Sequence, residues 1–329
     1  MTEETNATST RNIVIISLAV AAAEALGLGV AALISGSVAL GAQTADSTAD
    51  VAVEVFLLIG VLSSARPAND SHPLGYGRER FFWSLLAALG IFVGGGGISL
   101  EEAVESALHP AAVDHYLLAY LVLAATIAMD AFGLVVTLRP LRKRATMRGI
   151  SLRSQFRRST DPASSTVVLA GGTEVIGGLV AAVGLLVGQL TRSSAPDAAA
   201  SAVIGGLLLV VSVLLLRSNQ ELLTGRGLPP DLLDVVRGVI ASQPGVIDVP
   251  DLFGVIVGPQ SFIVDGDVTF ADNMELHAVE STIADTAGAL RERWPSIQYL
   301  YLTPVPSPRP RRTRDQGPVR SWGKTPEPP

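Results

Sequence analysis

Residues 35–62 read SGSVALGAQTADSTADVAVEVFLLIGVL, a stretch that is apolar enough to cross a bilayer but carries Asp46, Asp50 and Glu54. At about 100° per residue, positions four apart on a helix drift by only about 40°, so the three carboxylates form a ladder on one helix face. Each charged side chain at the centre of a membrane helix costs roughly 2.5–3.5 kcal/mol on insertion scales. The ladder therefore predicts a helix whose acids meet a polar cavity, protons or a cation.

The composition of the whole chain indicates a polytopic α-helical membrane protein. Of its 329 residues, 48% are hydrophobic and 16% are charged, and the mean hydropathy is +0.42. The net charge of −6 is small and the basic residues gather in particular loops, which indicates membrane topology and not a nucleic-acid partner. Because the chain has no cysteine, disulfides and thiolate metal sites are excluded.

Six apolar runs reach the ~20 residues that are needed to cross the hydrocarbon core. The loop between the fourth and fifth runs is rich in arginine and has no acid before Asp161, which places this loop in the cytoplasm. We therefore expect both termini to be cytoplasmic and the protein to lie in the plasma (inner) membrane. The six runs are 13–34, 38–62, 81–100, 115–138, 163–190 and 198–216.

The sequence predicts four segments along the chain. Residues 1–12 are polar and are expected to be a disordered N-terminus, and residues 13–217 are expected to form the transmembrane domain. Residues 218–303 show an α-β-β-α-β order, which is typical of a small α+β domain, here assigned to the cytoplasm. Residues 304–329 are rich in proline and arginine, so we expect a disordered tail.

Further acids occur in other predicted spans: Glu24 in the first, Asp130 in the fourth and Glu174 in the fifth. No span has a lysine or arginine within its apolar interior. These acids must then be neutralised by protons or by a bound cation, which predicts a cation or proton pathway. For Glu24 and Asp130, a protonated and hydrogen-bonded carboxyl group with no transport role is the alternative.

Three motifs, in this order, carry a family resemblance: SGSVAL at 35–40, DSxxD at 46–50 and DSHPLGYGR at 70–78. Together they resemble the cation diffusion facilitator (CDF) family, and STDP at 159–162 is similar to its zinc transporter 9-like branch. The resemblance implies a homodimer in the lipid bilayer that exports a divalent metal, Zn²⁺ first among candidates, by antiport against protons. It also implies a ferredoxin-like fold for the cytoplasmic domain, and no cofactor is expected besides the transported cation.

The resemblance implies that Asp46 and Asp50 form the second-span half of a metal site. The ligands that the family has in the fifth span correspond here to Gly171 and Gly172, and the nearest acid is Glu174. Since two residues turn a helix by about 200°, we expect Glu174 to replace a ligand at Gly172 only if this helix is rotated or broken. Glu54 and Glu174 are candidates to complete the metal shell or to relay protons.

The other metal positions of the family are depleted in this chain. Members with a second metal in the loop between spans two and three use positions that are Asn69 and Tyr76 here, which leaves His72 alone. We therefore assign His72, together with Glu24 and Asp130, a role as proton relay or accessory residue. The neighbouring Arg78, Glu79 and Arg80 are expected to cap the helix end and to contact lipid headgroups.

Two alternatives to metal export stay open at this point. One is a degenerate membrane protein that no longer transports and acts as a structural or regulatory partner, which the loss of the fifth-span ligands favours. The other is a proton-coupled carrier of a different cation. An enzyme is not expected, because the glycine runs lie inside apolar spans and not between a strand and a helix, where phosphate loops occur.

Overall fold

The computed structural model describes residues 3–35, 38–108, 116–147, 161–193 and 195–306. Within these ranges, the side chains at 3–9, 32, 35, 38–43, 45, 46, 144, 145 and 147 are outside the description. Most of the arginine-rich loop and the tail from residue 307 onward also lie outside the described residues.

Helices dominate the part of the chain before residue 226, and six of them are long and apolar enough to cross a membrane. The prediction of six spans is therefore confirmed. The helices are α1 (Glu3–Ser35), α2 (Val38–Ser64), α3 (Glu79–Gly90) continued by a π-helical segment (Ile91–Gly97) and α4 (Ile98–Leu108), α5 (Tyr116–Met147), α6 (Pro162–Thr191) and α7 (Ala195–Leu223).

Helix α1 starts well before the predicted first span. The sequence predicts disorder over residues 1–12, whereas the structure has helix from Glu3 onward and Thr10 is buried. The cause is tertiary, since the Thr10 hydroxyl donates a hydrogen bond to the Asp161 carboxylate at 2.7 Å. Ile13 and Val14, which follow directly, belong to the buried core of the bundle.

Two glycine-rich segments let neighbouring helices approach closely. A Cβ added at Gly96, in the π-helical segment, would lie 2.6 Å from Leu209 Cδ2, and one at Gly178 would lie 2.5 Å from Ile127 Cγ1. Small residues at such positions allow membrane helices to pack. Gly171 and Gly172 differ, because a Cβ at Gly171 would have its nearest neighbours at 3.9 Å and one at Gly172 would meet nothing within 4 Å.

The chain divides into two compact units, Met1–Arg226 with Val255–Phe262, and Gly227–Gly254 with the residues from Ile263 onward. After α7 come α8 (Pro230–Ala241), β1 (Val246–Gly258), β2 (Ser261–Phe270), α9 (Leu276–Arg293) and β3 (Ile297–Pro304). The three strands form one sheet in the order β1-β2-β3. This succession confirms the predicted α-β-β-α-β order and an α+β fold.

The pattern of burial explains why these segments form a sheet covered by helices. In β2, Val264, Gly266 and Val268 are buried at alternate positions, as expected for a strand with one face on a core. The helices contribute apolar residues at helical spacing, Val236 and Ile240 from α8 among them. The buried residues thus repeat every two positions in strand β2 and every four positions in helix α8, as expected for a strand and a helix.

Candidate functional site

The carboxylate ladder lies on the continuous helix α2, as predicted, but its members differ in their surroundings. Asp50 is exposed, whereas Glu54 is only 8% exposed. The backbone of Asp46 lies in the same helix one turn before Asp50, and its side chain is outside the described residues. The two described members of the ladder therefore have different surroundings. Asp50 lies on an exposed surface of α2, and Glu54 is buried inside the helix bundle.

Glu54 is held by helix α1. The Ser17 hydroxyl donates a hydrogen bond to Glu54 Oε1 at 2.7 Å. The other carboxylate oxygen, Oε2, is buried with no hydrogen-bond partner within the described part of the chain. A buried polar atom of this kind is costly unless a proton, a water or a cation satisfies it.

Glu174 extends from α6, which is α-helical without interruption from Pro162 to Thr191. Helix α6 is therefore not broken at Gly171 and Gly172. The Glu174 side chain reaches back toward the helix N-terminus, as long helical side chains do, so that Oε2 lies 3.9 Å from the Cβ position of Gly171. The half-buried carboxylate therefore lies beside Gly171, whereas the space at Gly172 is open.

The Glu174 carboxylate interacts electrostatically with acids on three other helices. It lies within electrostatic range of Asp50 and Glu54 on α2, of Asp130 on α5 and of Glu24 on α1. Helices α1, α2, α5 and α6 therefore each contribute acids to one polar part of the bundle. No salt bridge to lysine or arginine joins Glu24, Glu54, Asp130 or Glu174 among the described residues.

Glu24 and Asp130 form the α1 and α5 side of this group. Both are half-buried, and the Thr126 side chain hydrogen-bonds to the Glu24 carboxylate. Glu24 also lies within electrostatic range of Asp130 and of Asp50. The structure thus brings together, from four helices, five of the acids that the sequence singles out.

These acids are close enough to interact but do not form a complete metal cage in the described part of the chain. No group of three histidine, cysteine, aspartate or glutamate side chains there could hold a metal ion. Asp46, one helical turn before Asp50 on the ladder, has its side chain outside the described part of the chain. The described carboxylates therefore share one polar region of the bundle without forming a complete metal site.

The transmembrane helices, residues 14–224, match the cation efflux transmembrane domain. The chain belongs to the cation efflux family. This membership covers all six spans and confirms the family resemblance, and it places the chain in a family of transporters and not of enzymes.

Relatives within the cation efflux family agree with the predicted branch. The chain is 28% identical over 236 residues to the "Proton-coupled zinc antiporter SLC30A9, mitochondrial" of Xenopus laevis, covering 72% of this chain and 42% of the relative. It is 29% identical over 260 residues to "Metal tolerance protein C4" of Arabidopsis thaliana, covering 79% of this chain and 56% of the relative. The chain thus spans about half the length of these two relatives.

A third relative is comparable in length. The "Uncharacterized transporter MJ0449" of Methanocaldococcus jannaschii is 24% identical over 263 residues, which is 77% of this chain and 84% of the relative.

The loop between α2 and α3 holds His72 away from the carboxylates. The His72 ring stacks on Tyr76 with the centroids 4.1 Å apart, and its Nδ1 lies 3.0 Å from the Ser71 hydroxyl. Asn69 Nδ2 donates to the Tyr76 hydroxyl at 3.0 Å. The two loop positions that the family resemblance relates to a second metal, Asn69 and Tyr76, are thus joined by a hydrogen bond, and His72 stacks on Tyr76.

Sequence reasoning missed a buried ionic network at one end of the cation efflux domain. Arg80, expected at the lipid headgroups, is 5% exposed, and its Nη1 lies 3.4 Å from Oδ1 of Asp161. The expectation for Arg80 was therefore wrong, because the buried carboxylate of Asp161, directly before α6, provides a partner that a headgroup would otherwise supply. The signal available in the sequence was an aspartate directly before a proline at a helix start, where an acid is usually read only as a cap.

Proposed function

We propose that this protein exports a divalent metal cation from the cytoplasm in exchange for protons, with Zn²⁺ as the first candidate. The observation that carries the proposal is that the Glu174 carboxylate on the continuous helix α6 lies within electrostatic range of Asp50 on the continuous helix α2 and of acids on α1 and α5. The names of the relatives as zinc antiporter and metal tolerance protein support the same substrate class.

The proposed ligands are oxygen donors alone. Asp46 and Asp50 supply the α2 half, and Glu174 supplies the α6 half in place of Gly171 and Gly172. Carboxylate oxygens bind Zn²⁺ but suit harder ions such as Mn²⁺ as well, so Mn²⁺ and Fe²⁺ are the competing substrates. Glu54 is the accessory acid, because its Oε2 has a place for a proton and no other partner among the described residues.

The coupling follows from the requirement that carboxylates be deprotonated to coordinate a metal. Loading the ion releases protons from the acids, and reprotonation from the opposite side releases the ion. Glu24 and Asp130 provide further carboxyl groups within electrostatic range of the site and serve as the proton relay. The number of protons exchanged per metal ion is then set by the number of these acids that are protonated when no metal is bound.

The proposed setting is a homodimer in the plasma (inner) membrane with both termini in the cytoplasm. The orientation rests on basic residues that follow the α5 span, with Arg139, Arg142 and Lys143 at its end. The dimer rests on the resemblance to the family alone, and crosslinking of the purified protein tests it directly.

The transport test uses purified protein in liposomes with an outward- or inward-directed pH gradient. Uptake of Zn²⁺ and of Mn²⁺ is followed for the wild type, for Asp50→Asn and for Glu174→Gln, with Glu105→Gln on the exposed surface of α4 as the matched control. We expect gradient-dependent uptake that is lost in the first two variants and kept in the control. Undiminished transport by Asp50→Asn would contradict the proposed site.

A second candidate function is a membrane partner that no longer transports. Two observations favour it: Gly171 and Gly172 stand at the ligand positions of α6, and no group of three potential ligands occurs among the described side chains. Calorimetric titration of the purified protein with Zn²⁺ separates the two candidates. Metal binding that is lost in Asp50→Asn excludes the second, and absence of binding at any concentration below about 1 mM excludes the first.

A further inference from the structure

Four helices meet at a buried hydrogen-bonded ion pair. Asp161, directly before α6, accepts hydrogen bonds at Oδ2 from the Thr10 hydroxyl of α1 at 2.7 Å and from the Ser164 hydroxyl at 2.9 Å. Its Oδ1 faces Arg80 Nη1 at 3.4 Å. Arg80, on α3, also donates from Nε to the Ser64 hydroxyl at the end of α2, at 3.0 Å.

The side chains of this cluster are removed from water. Thr10 is 2% exposed, Arg80 5%, Ser164 5% and Asp161 8%. Asp161 occupies the N-cap position of α6, yet its carboxylate makes no capping bond to the helix backbone. Its carboxylate instead accepts hydrogen bonds from the side chains of Thr10 on α1 and Ser164 on α6, and it faces Arg80 on α3.

The cluster lies at one end of the bundle only. It joins the starts of α1, α3 and α6 to the end of α2, and we call this the Arg80 end. At the opposite end, α5 and α6 are linked by an exposed hydrogen bond from the Tyr120 hydroxyl to Gln189 Oε1 at 2.9 Å. The buried ionic contact thus joins, at one end of the bundle, three of the four helices that carry the acids, α1, α2 and α6.

A buried ion pair is suited to a contact between helices that must separate and re-form. Its attraction is largely offset by the cost of removing both charges from water, so its net stabilisation is small. When the helices part, water hydrates both groups and returns much of that cost. By contrast, loss of one charge alone leaves the other buried and unpaired, which destabilises the closed arrangement strongly.

We infer that Arg80 and Asp161, with Thr10, Ser64 and Ser164, form a latch that holds the Arg80 end of the helix bundle closed and must open for the site to be reached from that end. The closed latch and the hydrated, open one are the two states of this element. The inference rests on the contacts between helices and is independent of which cation is carried.

The absence of native cysteine allows a direct test by thiol labelling. Ser84 is one helical turn after Arg80 on α3, is 1% exposed, and its hydroxyl has no hydrogen-bond partner among the described residues. Ser84→Cys is therefore a conservative reporter inside the Arg80 end. Leu190→Cys on exposed α6, at the opposite end, reports general loosening.

The labelling rate with a maleimide is measured for each reporter in full-length protein, combined with Asp161→Asn or Arg80→Gln. We expect the rate at Ser84→Cys to rise about tenfold or more and the rate at Leu190→Cys to stay within about twofold. The matched control is Glu79→Gln, which removes the exposed Arg66–Glu79 ion pair at 3.6 Å near the same end and should change neither rate.

Two milder variants keep the test decisive if a charge variant fails to fold. Thr10→Val and Ser164→Ala each remove one hydrogen bond to Asp161 and leave the ion pair in place. Each is expected to raise labelling at Ser84→Cys by severalfold, with an unchanged elution profile in size-exclusion chromatography. Equal labelling in these variants and the wild type, or an equal rise at both reporters, would overturn the latch.

Discussion

The Ser17 hydroxyl on α1 lies 2.7 Å from Oε1 of Glu54 on α2, while the second oxygen of the same carboxylate is buried without a hydrogen-bond partner among the described residues. One half of the carboxyl group is thus fixed to a neighbouring helix, and the other half is left for a proton or a ligand. Because a buried oxygen without a partner lowers the free energy of unfolding, substitution of Glu54 should change that free energy measurably.

Glu54→Met is expected to stabilise the protein while impairing coupled transport. Methionine has a similar length, and it removes a buried oxygen whose lack of a partner costs about 1–3 kcal/mol. The thermal unfolding midpoint in detergent should therefore rise, and uptake driven by a pH gradient should fall. A lower midpoint for Glu54→Met would show that the buried carboxylate stabilises the helix pair.

Ser17→Ala is expected to have the opposite effect on stability. It leaves the other Glu54 oxygen without its donor, so unfolding should become easier by about 1–3 kcal/mol. Thr48→Ala is the matched control, since Thr48 is exposed on α2 and its hydroxyl donates a hydrogen bond within the same helix, to the Thr44 carbonyl at 2.7 Å. Its thermal midpoint should equal that of the wild type.

Two glycines on α6 should respond differently to alanine. At Gly172 an added Cβ meets nothing within 4 Å, so Gly172→Ala should be tolerated and should gain up to about 1 kcal/mol from helix propensity. At Gly184 the Cβ would lie 2.6 Å from Ala200 Cβ, and the two helices would have to move apart. Gly184→Ala should therefore cost about 1–3 kcal/mol. Thermal midpoints of the two variants that do not differ would contradict this distinction.

The helices could be predicted because bilayer thickness and helical periodicity act locally along the chain. The spacing of Asp46, Asp50 and Glu54 sets one helix face whatever its surroundings are, and α2 has the expected continuous form. The α+β order of the C-terminal part follows similarly from alternation of buried residues, as at Val264 and Val268. These features depend on residues that are close in sequence.

Arg80 and Asp161 were not predictable in this way. Thr10 and Asp161 are 151 positions apart, and Arg80 and Asp161 are 81 apart, so no local period reports their contact. Arginine at the end of a membrane span normally satisfies the topology rule without any protein partner. The pairing, and with it the extension of α1 to Glu3, becomes visible only when the helices are packed.

Glu174 should supply the metal affinity of α6, and a second acid should increase it. Glu174→Gln is expected to weaken Zn²⁺ binding by about tenfold or more, because it removes an anionic ligand opposite Asp50. Gly172→Asp should strengthen binding, since the space beside Gly172 is open and a carboxylate would return to a ligand position of the family. Isothermal titration with Zn²⁺ and Mn²⁺ measures both, and Glu105→Gln serves as the control. Wild-type affinity in Glu174→Gln would assign the α6 ligand elsewhere.

The loop between α2 and α3 should accept a metal after two substitutions. Asn69 and Tyr76 are joined by a hydrogen bond at 3.0 Å, and the His72 ring lies against Tyr76 with centroids 4.1 Å apart. Asn69→Asp combined with Tyr76→His would place a carboxylate and two imidazoles at these positions, which is a donor set that Zn²⁺ binds with water as fourth ligand. We expect one additional Zn²⁺ per chain in equilibrium dialysis.

The control for this loop is Tyr76→Phe, which removes the hydrogen bond and adds no ligand, so its metal content should equal that of the wild type. His72→Ala in the doubly substituted chain should abolish the additional ion, because only two protein ligands would be left. If the additional Zn²⁺ binds and survives His72→Ala, the three positions do not converge. If the additional Zn²⁺ binds and requires His72, the three positions converge on one ion. The native loop then has the shape of a metal site and is held together by a hydrogen bond and ring stacking.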